Sequence, residues 1–186
     1  MIRYALLVRG INVGGKNKVV MAQLRQELTE LGLESVESYI NSGNIFFYSS
    51  KARTQLVESL QGFFGVHYPF IKSFSLVSQE DYEEELRTLP DWWFQEMARK
   101  DVLLYTEGLD VDQVIEKVNS LELVDEELHF GKLGIFWGKL SEASYSKTAY
   151  HKRLLKMPFY RNITIRNANT FDKIGQFLKH KKGDRQ

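Results

Sequence analysis

Two runs rich in β-branched and aromatic residues, 36–40 and 45–48, stand on either side of Asn41-Ser42-Gly43-Asn44. A short polar turn containing glycine between such runs predicts a β-hairpin, and the segments around it restrict what the hairpin can join. Residues 4–8 form a short apolar run that ends at a glycine-rich loop, the pattern of a buried strand. Leu24, Leu28 and Leu31 then recur at helical spacing, with Gly32 placed to end the helix. After the hairpin, Leu56, Leu60 and Phe63 or Phe64 mark a second helix ending near Gly65, and residues 71–77 close the half as a strand. The order is β-α-β-β-α-β, the split βαβ or ferredoxin-like pattern.

The second half repeats this order without a visible sequence repeat. Residues 102–105 read as a strand. Asp110 with Gln113 reads as a capping box, opening a helix on Val114, Val118 and Leu121. Residues 123–130 and 133–137 read as a hairpin around Gly131-Lys132. Tyr150, Leu154 and Met157 predict a helix stopped by Pro158, followed by a strand over 162–166. A last helix starts near Asn169 or Thr170 and runs through Phe171, Ile174 and Leu178; the cationic end Lys179-His180-Lys181-Lys182 suits the negative pole of its dipole. The expected fold class is therefore α+β, with two ferredoxin-like subdomains at 1–78 and 101–186. The connecting segment, 79–100, carries a helix capped by Ser78 with Asp81 and stopped by Pro90. Glu83-Glu84-Glu85 reads as the solvated face of that helix. Trp92, Trp93 and Phe94 are expected to wedge between the subdomains, where aromatic rings bury large areas; an exposed stacking platform is the alternative.

Composition narrows the function classes. The 186 residues carry a net charge of +1, so no global field favours nucleic acid or a membrane surface. The chain has no cysteine, which excludes disulfides, thiolate zinc sites and a cysteine nucleophile and fits a reducing cytoplasm. The N-terminal apolar run is too short for a signal peptide or a membrane span. The expectation is a soluble cytoplasmic chain with no membrane association.

Topology brings separated loops together. In a split βαβ sheet the third strand lies antiparallel beside the first, so the loop RGINVGGKNK (residues 9–18) and the Asn41–Asn44 turn are expected on one rim. The end of the second helix brings His67 to the same rim. Gly14 and Gly15 allow positive φ and backbone N–H groups turned toward a ligand. Arg9, Lys16 and Lys18 add charge, and Asn12, Asn17, Asn41, Ser42 and Asn44 add directional hydrogen bonding. No side-chain cap precedes Met21, which leaves the first N–H groups of that helix available to an anion. These features predict a site for a small anionic or phosphorylated ligand, a nucleotide among the candidates. The alternative reading is structural: a glycine turn, an asparagine cap from Asn17, and an Arg9 paired with a carboxylate or with carbonyls.

The chemistry argues against a nucleotide-hydrolysing P-loop. GxxxxGK is present from Gly10 to Lys16, but Asn17 stands where Ser or Thr would ligate magnesium. The four histidines, 67, 129, 151 and 180, lack ligand spacing, and no GxSxG elbow occurs. No metal site and no cofactor are expected, and no residue can be named as a catalytic nucleophile. A second cluster, Lys147, Lys152, Arg153, Lys156, Arg161 and Arg166, is interleaved with Tyr145, Tyr150, Phe159 and Tyr160. It suits RNA or single-stranded DNA; the alternative is a solvated helix whose other face holds Leu154 and Leu155. A third reading is a protein-interaction or homodimeric module using the Trp92-Trp93 region or the sheet, the oligomeric state itself being open.

The segments RGINVGGKNKVVMAQLRQEL, YINSGNIFF and TIRNANT together resemble a bacterial family known as domain of unknown function 1697, over essentially the whole chain. The resemblance implies two α+β subdomains of ferredoxin-like topology and supplies no activity. Its motif positions fall on Arg9, Gly10, Asn12, Gly14, Gly15, Asn41, Ser42, Gly43, Asn44, Arg166 and Asn167. Asn41 replaces a residue that is often Gln, and Ala168 replaces an aromatic, which removes any contact made by that ring.

Overall fold

The computed structural model describes residues 1–180 of the chain. Lys181 and Lys182, the last two residues of the expected cationic helix end, lie outside the described residues. Two four-stranded antiparallel sheets form the frame. The first has the order β2-β3-β1-β4, from β1 (Ile2–Val8), β2 (Glu34–Tyr39), β3 (Asn44–Ser49) and β4 (Phe74–Ser78). The second has the equivalent order β6-β7-β5-β8, from β5 (Arg99–Tyr105), β6 (Glu126–Phe130), β7 (Gly134–Lys139) and β8 (Ile163–Asn167). Both are ferredoxin-like arrangements.

The alternation of β1 explains how the halves are layered. Tyr4, Leu6 and Val8 face a core shared with α1 (Met21–Glu30) and α2 (Arg53–His67), while Ala5 and Leu7 face the opposite way. A strand buried on both faces needs cover on both. The second cover comes from helices that follow the last strand of each half directly, α3 (Gln79–Thr88) and α6 (Ala168–Leu178). With Val102 and Leu104 of β5 they form a central core, and Gly175 makes it tight: a Cβ there would lie 2.4 Å from the Tyr82 ring. The Tyr82 hydroxyl donates to the Phe171 carbonyl at 3.0 Å. Leu103 faces a third core with α4 (Val111–Asn119) and α5 (Ala149–Lys152).

The expected caps form. Ser78 accepts from the Asp81 N–H at 3.0 Å, and Asp110 from the Gln113 N–H at 3.1 Å. Asn167, one residue before the helix it opens, accepts from the Thr170 N–H at 2.8 Å.

Three expectations need correction. The helix read through Tyr150, Leu154 and Met157 is broken into α5 and two 3-10 turns, Leu154–Lys156 and Pro158–Asn162; Leu154 is buried but Leu155 is 65% exposed. Of the aromatic wedge, Trp93 packs edge-on against Phe136 and Phe171 in the central core, whereas Phe94 is exposed. Glu85 is not on a solvated face. It is 1% exposed and accepts from the Leu133 N–H in the turn between β6 and β7, while Lys132 of that turn pairs with Asp81 and Glu84. No helix among the described residues is long and apolar enough to cross a membrane.

Candidate functional site

Strand register sets the rim. Leu7 pairs with Asn44, and the Val8 N–H donates to the Gly43 carbonyl at 2.9 Å, so the loop leaving β1 starts beside the β2–β3 turn. Gly43 fits there because its φ is +82° and a Cβ would lie 2.4 Å from Val8 Cγ2. The loop folds into a finger. Val13 and Lys16 form an isolated bridge across Gly14 and Gly15, at φ +58° and +74°, the pair of positive values a tight hairpin turn requires. Buried Ile11 and Val19 anchor its base.

The asparagines brace this finger. Asn12 Nδ2 donates to the carbonyls of Val19 and Asn41, each at 3.0 Å, and its Oδ1 accepts the Val19 N–H at 2.8 Å. Asn17 donates to the Gly10 carbonyl at 2.9 Å, and its carbonyl accepts the Asn12 N–H. Asn17 therefore closes the loop instead of capping α1. Asn44 is fully buried; its Nδ2 donates to the Tyr39 carbonyl and the Ser42 hydroxyl. The rim loops come together as expected, but these amides are spent on the fold.

Two arginines join the subdomains reciprocally. Arg166, from β8, donates to Asn44 Oδ1 at 2.7 Å and to the carbonyls of Val8, Ser42 and Gly43, as well as Ile165. All are neutral oxygens. Burial pushes its guanidinium down to about 10, still cationic at neutral pH. Arg9, from the first half, donates from Nη1 to the carbonyls of Tyr160 and Ile163, and its Cζ sits 4.3 Å from the Tyr160 ring centroid. Neither arginine has a carboxylate in ion-pair range among the described residues.

Unspent donors remain on this rim. Arg9 Nε and Nη2 have no acceptor among the described residues. Lys16 and Lys18 are exposed, as are Gly14 and Gly15 at the tip. Val20 precedes α1 without a side-chain cap. His67 is exposed and stacks on Phe63, 4.9 Å between ring centroids, and among the described residues no hydrogen bond or ion pair joins it to the finger.

The second expected cluster splits. Lys147, Lys152, Arg153, Lys156 and Arg161 are exposed on the 145–162 turns and carry no ion pair among the described residues. Arg166 belongs instead to the clasp on the Asn41–Asn44 turn.

Pattern reading missed a buried polar network beneath those turns. Lys139, with no exposed side-chain surface, donates to Asp101 at 2.6 Å and lies 3.4 Å from the Tyr150 ring centroid. Burial pulls its ammonium down to about 8 against the opposing attraction of Asp101. Arg99 Nε shares the same carboxylate at 2.9 Å. Glu126 accepts from Trp137 Nε1 and from the N–H groups of Ala149 and Tyr150, so it caps α5 from a distant strand. The available signal was a charged residue at alternating strand positions that should face inward, Asp101 and Lys139. Among the described residues no group of His, Asp or Glu is arranged to hold a metal ion.

A family model described as "Protein of unknown function (DUF1697)" matches residues 1–136. That is less than the whole-chain resemblance of the motifs, and it leaves Arg166 and Asn167 outside the matched segment. The chain is 77% identical to the conserved bacterial protein SP0830 from Streptococcus pneumoniae, whose solved structure superposes with a TM-score of 0.95 over 96% of this chain and 99% of that one. No curated protein matches the chain.

Proposed function

The chain belongs to the DUF1697 family of proteins of unknown function, and from the geometry of the rim we propose that it binds a small anionic or phosphorylated ligand there. The observation that carries this reading is Arg9. Its guanidinium is held in place by two carbonyls and a tyrosine ring, yet among the described residues Nε and Nη2 have no acceptor and no carboxylate neutralises it. A pre-positioned cation with free donors suits a carboxylate or phosphate, which a guanidinium contacts through paired N–H groups. Lys16 and Lys18 on the adjoining finger supply mobile charge, and the uncapped start of α1 supplies N–H groups of favourable polarity. The asparagines act as scaffold in this reading, and His67 takes no part.

A thermal-shift screen of inorganic phosphate, pyrophosphate, nucleotides, phosphorylated sugars and carboxylates tests it. A stabilising hit is expected, and replacing Lys16 and Lys18 together by Ala should abolish the shift. A hit that binds this variant unchanged places the ligand elsewhere.

A second reading, a nucleic-acid-binding module, is supported by five exposed cations on the 145–162 turns that have no acidic partner among the described residues. It requires affinity for RNA or single-stranded DNA that falls linearly with the logarithm of salt concentration. No mobility shift at low salt removes it.

A further inference from the structure

We propose that the pocket between the start of β5 and the 145–160 turns binds a planar aromatic ring bearing one anionic group. The cavity has a volume of about 350 Å³ and is walled by Tyr145, Tyr150 and Tyr160, with Leu154 and Ile165 as apolar surface. That volume lies within the range of small-molecule sites, and a lining with three tyrosines favours an aromatic guest.

The walls are fixed before any guest arrives. The Tyr150 ring is held by the Lys139 ammonium at 3.4 Å and by Trp137 edge-on at 5.3 Å. The Tyr160 ring is held by Arg9. Rings immobilised by the fold lose little freedom on binding, which is the condition under which stacking contributes to affinity.

Arg99 supplies the charge. It lines the pocket with its side chain 48% exposed, its Cζ 5.7 and 5.8 Å from the Tyr145 and Tyr150 ring centroids. Its Nε is committed to Asp101 and its Nη1 makes a long contact, 3.4 Å, with the Tyr145 hydroxyl; Nη2 has no acceptor among the described residues. Asp101 cannot neutralise it fully, because the same oxygen also accepts the Lys139 ammonium. Glu126 adds a second negative charge on the Lys139 side, so the charge offered to the pocket is the half-exposed guanidinium of Arg99 itself. The ring of His151, 5.2 Å from Tyr145, adds a polar group to the same lining. The pocket meets the rim through the Arg9 contact with Tyr160, but none of Arg9, Lys16 and Lys18 lines it, and it stands without the rim reading.

Two sources present this chemistry, a mononucleotide and an aryl carboxylate. The full chain is titrated by calorimetry with adenosine monophosphate, with 4-hydroxybenzoate, and with their uncharged counterparts adenosine and 4-hydroxybenzamide. Saturable binding of at least one anion is expected, with the uncharged counterpart about tenfold weaker, the loss of one charge-assisted hydrogen bond. Leu155→Trp, at a pocket residue that is 65% exposed, should weaken it at least about tenfold by filling the space without disturbing the core. Arg99→Gln should do likewise by removing the charge. The Lys16/Lys18 double alanine variant should bind as the wild type does. The proposal is overturned if neither anion binds, if Leu155→Trp binds undiminished, if the uncharged counterparts bind equally, or if only a single-stranded oligonucleotide binds.

Discussion

Replacing Arg166 by Ala should destabilise the chain by about 2 to 4 kcal/mol, the sum of its stranded buried acceptors. The figure follows from what the guanidinium leaves behind. Asn44 Oδ1 is fully buried and loses its 2.7 Å charge-assisted donor, at a cost of about 1–3 kcal/mol. The Val8 carbonyl loses its donor at 2.9 Å, at roughly 1 kcal/mol where water replaces the lost bond incompletely, whereas the exposed Ser42 carbonyl turns to water at little cost. Gly43 keeps the Val8 N–H and contributes little. For a chain of this size the loss lowers the melting temperature by roughly 10 °C. Arg166→Lys should recover little of it, because a point charge cannot reproduce the fork that reaches Asn44, Val8 and Ser42 together. Arg161→Ala, at an exposed neighbour, is the control and should stay within about 0.5 kcal/mol. Urea unfolding of the three variants measures this. A loss below about 1 kcal/mol for Arg166→Ala would refute the clasp, since one net hydrogen bond alone accounts for that much.

Gly43→Ala should destabilise by more than about 2 kcal/mol, because strain at positive φ adds to a Cβ placed 2.4 Å from Val8 Cγ2. Gly32→Ala, at φ +93° with open space around it, should cost only the strain, about 1 kcal/mol, in parallel denaturation curves. Glu85 is held above its ordinary carboxylate value by burial, so its contribution is present in acid and lost as pH rises through its folded value. Unfolding curves should therefore show Glu85→Gln gaining on the wild type as pH rises above the ordinary carboxylate range; parallel profiles would contradict the burial. Lys139 is displaced the other way, to about 8 from 10.5, so the unfolded chain holds more protons between those values and stability should rise with pH there. Lys139→Met should lack this rise, worth about 2 kcal/mol up to pH 10, beyond which the raised buried tyrosines Tyr82 and Tyr150 pull stability down. An unchanged profile in the variant would count against it.

How much of this was legible in the chain depends on how far apart the interacting residues lie. Leu24 with Leu28, the Ser78–Asp81 cap and the Asn41–Asn44 turn are local devices, and hydrophobic period and cap chemistry report them directly. Split βαβ topology then placed the 9–18 loop beside that turn. It could not tell which polar groups face a ligand, because Asn12 and Asn17 spend theirs within the finger, a matter of side-chain direction and not of composition. The clasp was invisible for a different reason. Arg9 and Arg166 find their acceptors in the other half across sequence separations of 122 to 158 residues, and the acceptors are mostly backbone carbonyls, which carry no sequence signature. The same holds for α5, whose N–H groups are capped by Glu126, and for Glu85, whose charge pattern reads as solvated until the Leu133 N–H is placed against it.

Nitrogen–proton correlation spectra of the full chain titrated with pyrophosphate test the rim most directly, because Arg9 Nε and the amides of Gly14, Gly15 and Lys16 report separately. The account predicts saturable shifts at Arg9 Nε and at the finger amides, with Arg166 Nε unmoved because it is already bonded to Asn44. Saturable shifts confined to residues outside the rim, or none at all, would contradict it.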